Sequence, residues 1–171
     1  GFVSGQLHET PRNLMAFKDG TVNPRHTDEY KDYVFIDDGW AKNGTYCIIR
    51  RIQIHIETWD RTALEEQEAT FGRKRISGAP LTGKKEFDEM DLGAKDSSGE
   101  YVIPADAHAR LAHEAKTSIK RRAYNYTAGT NDKTGALETG LLFISFQKAT
   151  QQFIDIQNHL GHKDKLNEYI T

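Results

Sequence analysis

Leu141-Leu142-Phe143-Ile144-Ser145-Phe146 is a short, nearly all-apolar run that follows Gly140 and ends before the polar Gln147. Its length and its branched and aromatic content read as a strand at the centre of a sheet. Upstream, residues 119–126 (IKRRAYNY) read as a second strand, joined to the first by a polar segment holding Gly129, Asn131, Asp132 and Gly135, which predicts a hairpin. Residues 45–57 (TYCIIRRIQIHIE) alternate, with Tyr46, Ile48, Ile52, Ile54 and Ile56 on one face and Cys47, Arg51, Gln53, His55 and Glu57 on the other. Arg50 interrupts the apolar face, so this strand is placed near an edge or in reach of an anion. Residues 150–160 carry Phe153, Ile156 and Leu160 at helical spacing, predicting an amphipathic helix over one sheet face. The fold class expected is α+β, an antiparallel sheet covered by helices.

The intervening segments are less regular. Thr62 and Glu65 have capping-box spacing at the head of an acidic surface helix that Gly72 ends. Residues 72–100 are rich in Gly, Lys, Asp and Ser and read as a long loop, either a lid or an insertion. Residues 104–114 predict a short helix with Ala107, Leu111 and Ala112 as apolar contacts and with His108 and His113 on or beside it.

A chain of 171 residues fits one domain. A net charge of −2 gives no bulk argument for nucleic acid or an anionic membrane as partner, and no apolar run is long enough to span a bilayer. Cys47 is the only cysteine, which excludes an internal disulfide and a zinc site built on cysteines. The sequence starts at Gly1 without a methionine, close to a turn that looks functional, and the expectation is a fragment of a longer parent whose export signal lies elsewhere.

That turn is Asn13-Leu14-Met15-Ala16-Phe17-Lys18-Asp19-Gly20-Thr21-Val22-Asn23-Pro24. Asp-Gly alone is a common turn dipeptide, so the chemistry depends on what else the chain supplies. Three further groups stand out: His108, the pair Arg121-Arg122, and His159-x-x-His162 with Asp164. An imidazole, an acid and a guanidinium are the minimum parts of a haem peroxidase pocket: a ligand for iron, a proton acceptor, and a fixed cation for developing negative charge.

Five segments in order, FKDGTVNP, YCIIRRIQIHIETWDR, IPADAHARLAH, KRRAYNYTAG and GLLFISFQ, resemble the C-terminal half of the dye-decolourising peroxidases, and within that family the exported deferrochelatase/peroxidase subgroup associated with the iron-uptake component EfeB. The resemblance implies a ferredoxin-like half of a two-half protein, one haem b per chain, and reaction of hydrogen peroxide with an organic reductant or ferrous iron. It places the distal acid on Asp19, the proximal iron ligand on His108 and the distal arginine on Arg121 in preference to Arg122. It puts Asn23 in the distal pocket. Asp164 is the candidate acceptor for the free N–H of His108, with Asp155 as the alternative. The missing N-terminal half would close one side of the cavity, and iron-uptake partners and a homo-oligomer are left open.

Two positions depart from the family pattern. Ala16 stands where the turn usually has glycine, which strains the turn if that position has a positive φ. Gln53 stands where an arginine often helps hold a haem propionate, so Arg50, Arg51 or a loop lysine would substitute. Competing readings are a haem-binding iron-uptake component with little turnover, a nucleic-acid module using Lys120, Arg121 and Arg122 with Tyr124 and Tyr126, and a zinc site at His159 and His162. Trp59, Tyr124 and Tyr126 read as core aromatics or as electron-transfer stations.

Overall fold

The computed structural model describes residues 10–171. Its centre is β4 (Leu137–Gln147), the strand that contains the apolar run. Antiparallel to it on one side lies β1 (Tyr46–Gln53), and on the other side lie β2 (Lys120–Arg121) and β3 (Tyr124–Thr130) in succession. Registers of Arg51 with Leu142, Tyr124 with Leu142 and Arg121 with Ser145 fix which side chains share a face. Because side chains alternate along a strand, Arg121, Ser145 and Phe143 point one way, and Arg51, Leu142 and Tyr124 the other.

The first of these faces is covered by the helix α5 (Thr150–Leu160), whose Phe153 ring meets Phe143 with centroids 6.1 Å apart. On the same face Arg50 bonds Gln157 of α5. The remaining helices are α1 (Thr27–Tyr33), α2 (Ile56–Arg61), α3 (Leu64–Phe71) and α4 (His108–Glu114), followed after α5 by a 3-10 turn at Lys165–Glu168. The architecture is α+β. No helix among the described residues is long and apolar enough to cross a membrane.

Three expectations change in detail. The strand read to residue 57 stops at Gln53: Ile54 makes only a bridge to Ile170, and Ile56 already starts α2. The apolar spacing from Ile56 to Trp59 is helical, and Trp59 buries all but 1% of its surface, so tertiary packing overrides the alternation. Residues 119–126 split into β2 and β3 because Ala123 is drawn into the interior while Arg122 keeps one ladder bond to Ile144, at 2.8 Å. Thr62 does not cap α3. Its hydroxyl donates to Thr58 O and closes α2, leaving Ala63 at the N-cap, and α3 buries Gln67, Thr70 and Phe71 instead of lying on the surface.

The core that organises the site is aromatic. Phe17 stacks on Phe71 at 4.1 Å, and Trp59 meets Phe71 edge-on at 5.7 Å and Tyr169 at 4.9 Å. Met15, Ile54 and Leu166 complete this buried cluster. Geometries of this kind are worth about 0.5–1.5 kcal/mol per aromatic pair beyond area burial. The cluster ties the N-terminal turn, α2, α3 and the C-terminal residues into one unit.

Candidate functional site

The acid turn is built from its own side chains. Asn13 Oδ1 accepts from the amides of Met15 and Phe17, while Met15 and Phe17 sink into the aromatic cluster and Trp59 Nε1 donates to Met15 O at 3.2 Å. Between those two anchors Ala16 has φ +68. A left-handed alanine costs roughly 1–2 kcal/mol, and Arg12 holds it there by donating to Ala16 O at 2.8 Å while also gripping the carbonyls of Arg75 and Ile76. Three residues after Ala16, the Asp19 amide donates to Pro11 O at 2.8 Å.

Asp19 so placed pairs with Arg121, Oδ1 to Nη1 at 2.8 Å. Asn23 completes the junction from the same turn. Its Oδ1 accepts from the Arg121 amide at 2.9 Å and its Nδ2 donates to Arg121 O at 3.1 Å. These are the outward backbone groups of the short edge strand β2, so one asparagine pairs with them as a neighbouring strand would. Arg122 is exposed and takes no part in the ion pair.

Asp19, Asn23 and Arg121 line a cleft of about 520 Å³ with Gly20, Phe87 and Tyr124. His108 does not line it. Among the described residues the second carboxylate oxygen of Asp19 has no hydrogen-bond partner.

His108 is the first residue of α4. Its helix start is set by Gly72, which has φ +76 at the end of α3 and passes so close that a Cβ there would meet Ile103 at 3.1 Å and Ala107 at 3.3 Å. The imidazole Nδ1 lies 2.6 Å from Asp164 Oδ2, and Asp164 Oδ1 caps the 3-10 turn by accepting from the Leu166 amide at 2.9 Å. Asp155, the alternative, bonds Gln151 on α5. With its Nδ1 proton held by a carboxylate, the ring presents a lone pair at Nε2, the arrangement typical of metal-ligating histidines. Phe71 packs edge-on against this ring at 6.0 Å, so the Phe17–Phe71 stack runs from the acid turn to the imidazole.

Other expected residues lie elsewhere. Arg51 sits on the opposite sheet face, its guanidinium 4.6 Å over the Tyr126 ring, because the alternation of β1 sends it away from Arg121. The structure therefore does not bring Arg51 to the Asp19–Arg121 pair. Lys120 lies over Tyr30 and donates to Pro24 O, so two of the three basic residues, Lys120 and Arg121, are engaged in internal contacts. His159 Nδ1 bonds Asp155 O, and among the described residues no three metal-ligating side chains cluster.

Two residues that the sequence reading did not single out belong to this region. Burial lowers the Arg73 guanidinium from its ordinary value; the charge of Arg121 adds to that, and Glu86 opposes it. Glu86 bonds three side chains of the acid turn region, from Thr10, Lys18 and Thr21. Both lie in the segment after α3 where no periodicity marks a role.

The family model described as Dyp-type peroxidase, C-terminal, matches residues 10–171. The chain belongs to the Dyp-type peroxidase family. Among curated relatives, a deferrochelatase of Yersinia pseudotuberculosis is 39% identical across 99% of this chain and 42% of its own length. Among solved structures, a DyP-type peroxidase from Streptomyces coelicolor superposes with a TM-score of 0.91 at 34% identity, over 98% of this chain and 48% of that one. DtpA from Streptomyces lividans, in an oxyferrous complex, gives 0.90 at 35% identity over the same shares. The chain thus spans about half the length of the relatives it matches, and the four-stranded antiparallel fold is that of its Dyp-type neighbours.

Proposed function

We propose that the chain is the haem-binding C-terminal domain of a longer Dyp-type peroxidase that reduces hydrogen peroxide and oxidises an organic substrate or ferrous iron. The observation that carries this reading is the presence of two acid–base pairs, Asp19 with Arg121 and His108 with Asp164, at the two ends of one Phe17–Phe71 stack. The residues suit a haem: a histidine fixed through Nδ1 with Nε2 left over among the described residues, and across the core a carboxylate beside a guanidinium, one of its oxygens unbonded among those same residues. Haem b, one per chain, would supply a redox-active iron that takes up the oxidising equivalents of peroxide.

The protein's own residues divide the remaining work. His108 would hold the iron through Nε2, and Asp164, by keeping the Nδ1 proton in place, would raise the basicity of the ligand nitrogen. Asp19 accepts a proton from one peroxide oxygen and delivers it to the oxygen that leaves as water. Arg121, held by Asn23 through its backbone, aims N–H donors at the oxygen on which charge develops. A location of the parent protein outside the bacterial cytoplasm belongs to the same reading, and the likeness to deferrochelatases supports it.

A titration of the chain with haem, followed by the Soret band and repeated with His108→Ala, tests the ligand: equal affinity for both would end the assignment. Peroxide consumption by the loaded protein, compared with Asp19→Asn, tests the acid. The name deferrochelatase carried by the curated relatives supports a second reading, a haem-binding component of iron uptake with little peroxidase turnover. Iron released from bound haem without added reductant substrate, at a rate indifferent to Asp19→Asn, would favour it over the first.

A further inference from the structure

Glu86 lies in the irregular segment between α3 and α4, yet its side chain is only 9% exposed. Among the described residues, every side-chain partner of its carboxylate comes from residues 10–21. Lys18 Nζ is 2.7 Å from Oε2, Thr21 Oγ1 donates to Oε1 at 2.9 Å, and Thr10 Oγ1 also donates to Oε1. Lys18 and Thr21 flank Asp19 on either side. Burial would raise the Glu86 carboxyl, but the bonds from Lys18, Thr10 and Thr21 outweigh it and hold the group below the ordinary glutamate value. The carboxylate is therefore an anion clamped across the acid turn.

The clamp is itself anchored. Arg73 Nη1 donates to Glu86 O at 3.0 Å and to Gly78 O at 2.8 Å, which fixes the backbone that carries the glutamate. Gly78, at φ +75, lets that backbone close over the ion pair: a Cβ there would stand 2.7 Å from Lys18 Cδ and 3.3 Å from Glu86 Cγ. Asp19, by contrast, has among the described residues one side-chain bond, to Arg121, and its position otherwise depends on the backbone around it. Thr21 and Lys18 are the nearest points at which that backbone is tied by side chains to the rest of the molecule.

We propose that Glu86 is a positioning residue for Asp19, setting the aim of the acid turn through Lys18 and Thr21 without touching the reacting atoms. The inference rests on the proposed role of Asp19 for its functional consequence, and on geometry alone for its structural one. A carboxylate at the reaction centre gains from being held within a fraction of an ångström of its working position. The segment read from sequence as a lid or an insertion is on this view the outer half of the acid's mount.

The test uses four forms of the chain: unchanged, Glu86→Gln, Asp19→Asn and the double variant. In the chain without haem, Glu86→Gln is expected to speed hydrogen exchange of the amides at residues 17–21 by about tenfold, a loss of about 1.4 kcal/mol of local stability, with β4 unchanged. Unchanged exchange in the turn overturns the proposal. In the haem-loaded protein, Glu86→Gln is expected to slow the peroxide reaction roughly tenfold in the Asp19 background and less than about twofold when Asp19 is already asparagine, since a residue acting through the acid has nothing left to position. Equal losses in both backgrounds overturn it. If Asp19→Asn has no effect on rate, the proposed proton-transfer role fails, and the exchange result alone then decides the role of Glu86. Lys18→Met, which removes the ion pair from the other side, is expected to shift the same amides in the same direction, and a turn that it leaves unmoved also overturns the proposal.

Discussion

The two acid–base pairs look alike on paper and are held in different ways. Asp164 has both oxygens engaged: one takes His108 and the other takes the Leu166 amide, and its side chain is 3% exposed. Asp19 gives one oxygen to Arg121, leaves the other unbonded among the described residues, and borders a cleft. A buried acid with both oxygens engaged by fixed donors serves as an anchor. An acid with a spare oxygen can take one up. The two carboxylates thus differ in how many of their oxygens are held, and that difference is what the proposed roles of anchor and proton carrier rest on.

The largest effect expected from breaking this contrast is on rate. Asp19→Asn should lower peroxide turnover of the haem-loaded protein by about 10²–10⁴-fold. It should cost no more than about 1 kcal/mol in urea melts, since its ion pair is partly solvated. Asp164→Asn should invert the pattern. Haem-iron affinity, read from a Soret titration, is expected to fall about 10–100-fold, and the buried site should lose about 1–3 kcal/mol of folding stability. Similar stability losses for the two variants would show that the contrast is not real.

A smaller effect follows from acid. The Glu86 carboxyl is held below its ordinary value in the folded chain, so the stability it contributes is fully present above the unfolded glutamate pKa, roughly 4.3, and is lost as pH falls through the lowered folded value. Thermal melts should therefore drop in midpoint below about pH 4.3. In Glu86→Gln that part of the curve should flatten. The smallest effect is a gain: Ala16→Gly relieves the left-handed backbone at φ +68 and should raise stability by about 1 kcal/mol, measured as a shift in urea midpoint with turnover unchanged or improved.

Local patterns in the sequence reached far into the fold. The apolar run at 141–146 lies in the central strand, the helix over 150–160 matches α5, and Gly72 ends α3 at positive φ. What local pattern missed was decided by partners distant in sequence. Trp59 turned the end of a strand into a helix, and Ala123 broke another strand in two. In the site, Asp19, Asn23, His108, Arg121 and Asp164 were picked out by turn chemistry and by the ordered family segments. Glu86 and Arg73 were not. Their roles come from bonds to residues 65 and more positions away, or to carbonyls that leave no mark in residue type. Arg51 shares its sheet face with Gln53, the position it was read as replacing, and that face is the one opposite Arg121.

The two bonds from Asn23 to the backbone of Arg121 join positions 98 residues apart. During synthesis the acid turn leaves the ribosome long before its arginine exists, and Asp164 follows later still. Contacts of such sequence separation form late and slowly. A ligand that needs both pairs therefore cannot be captured before residue 164 has been made: loading must wait for the later of its two anchors.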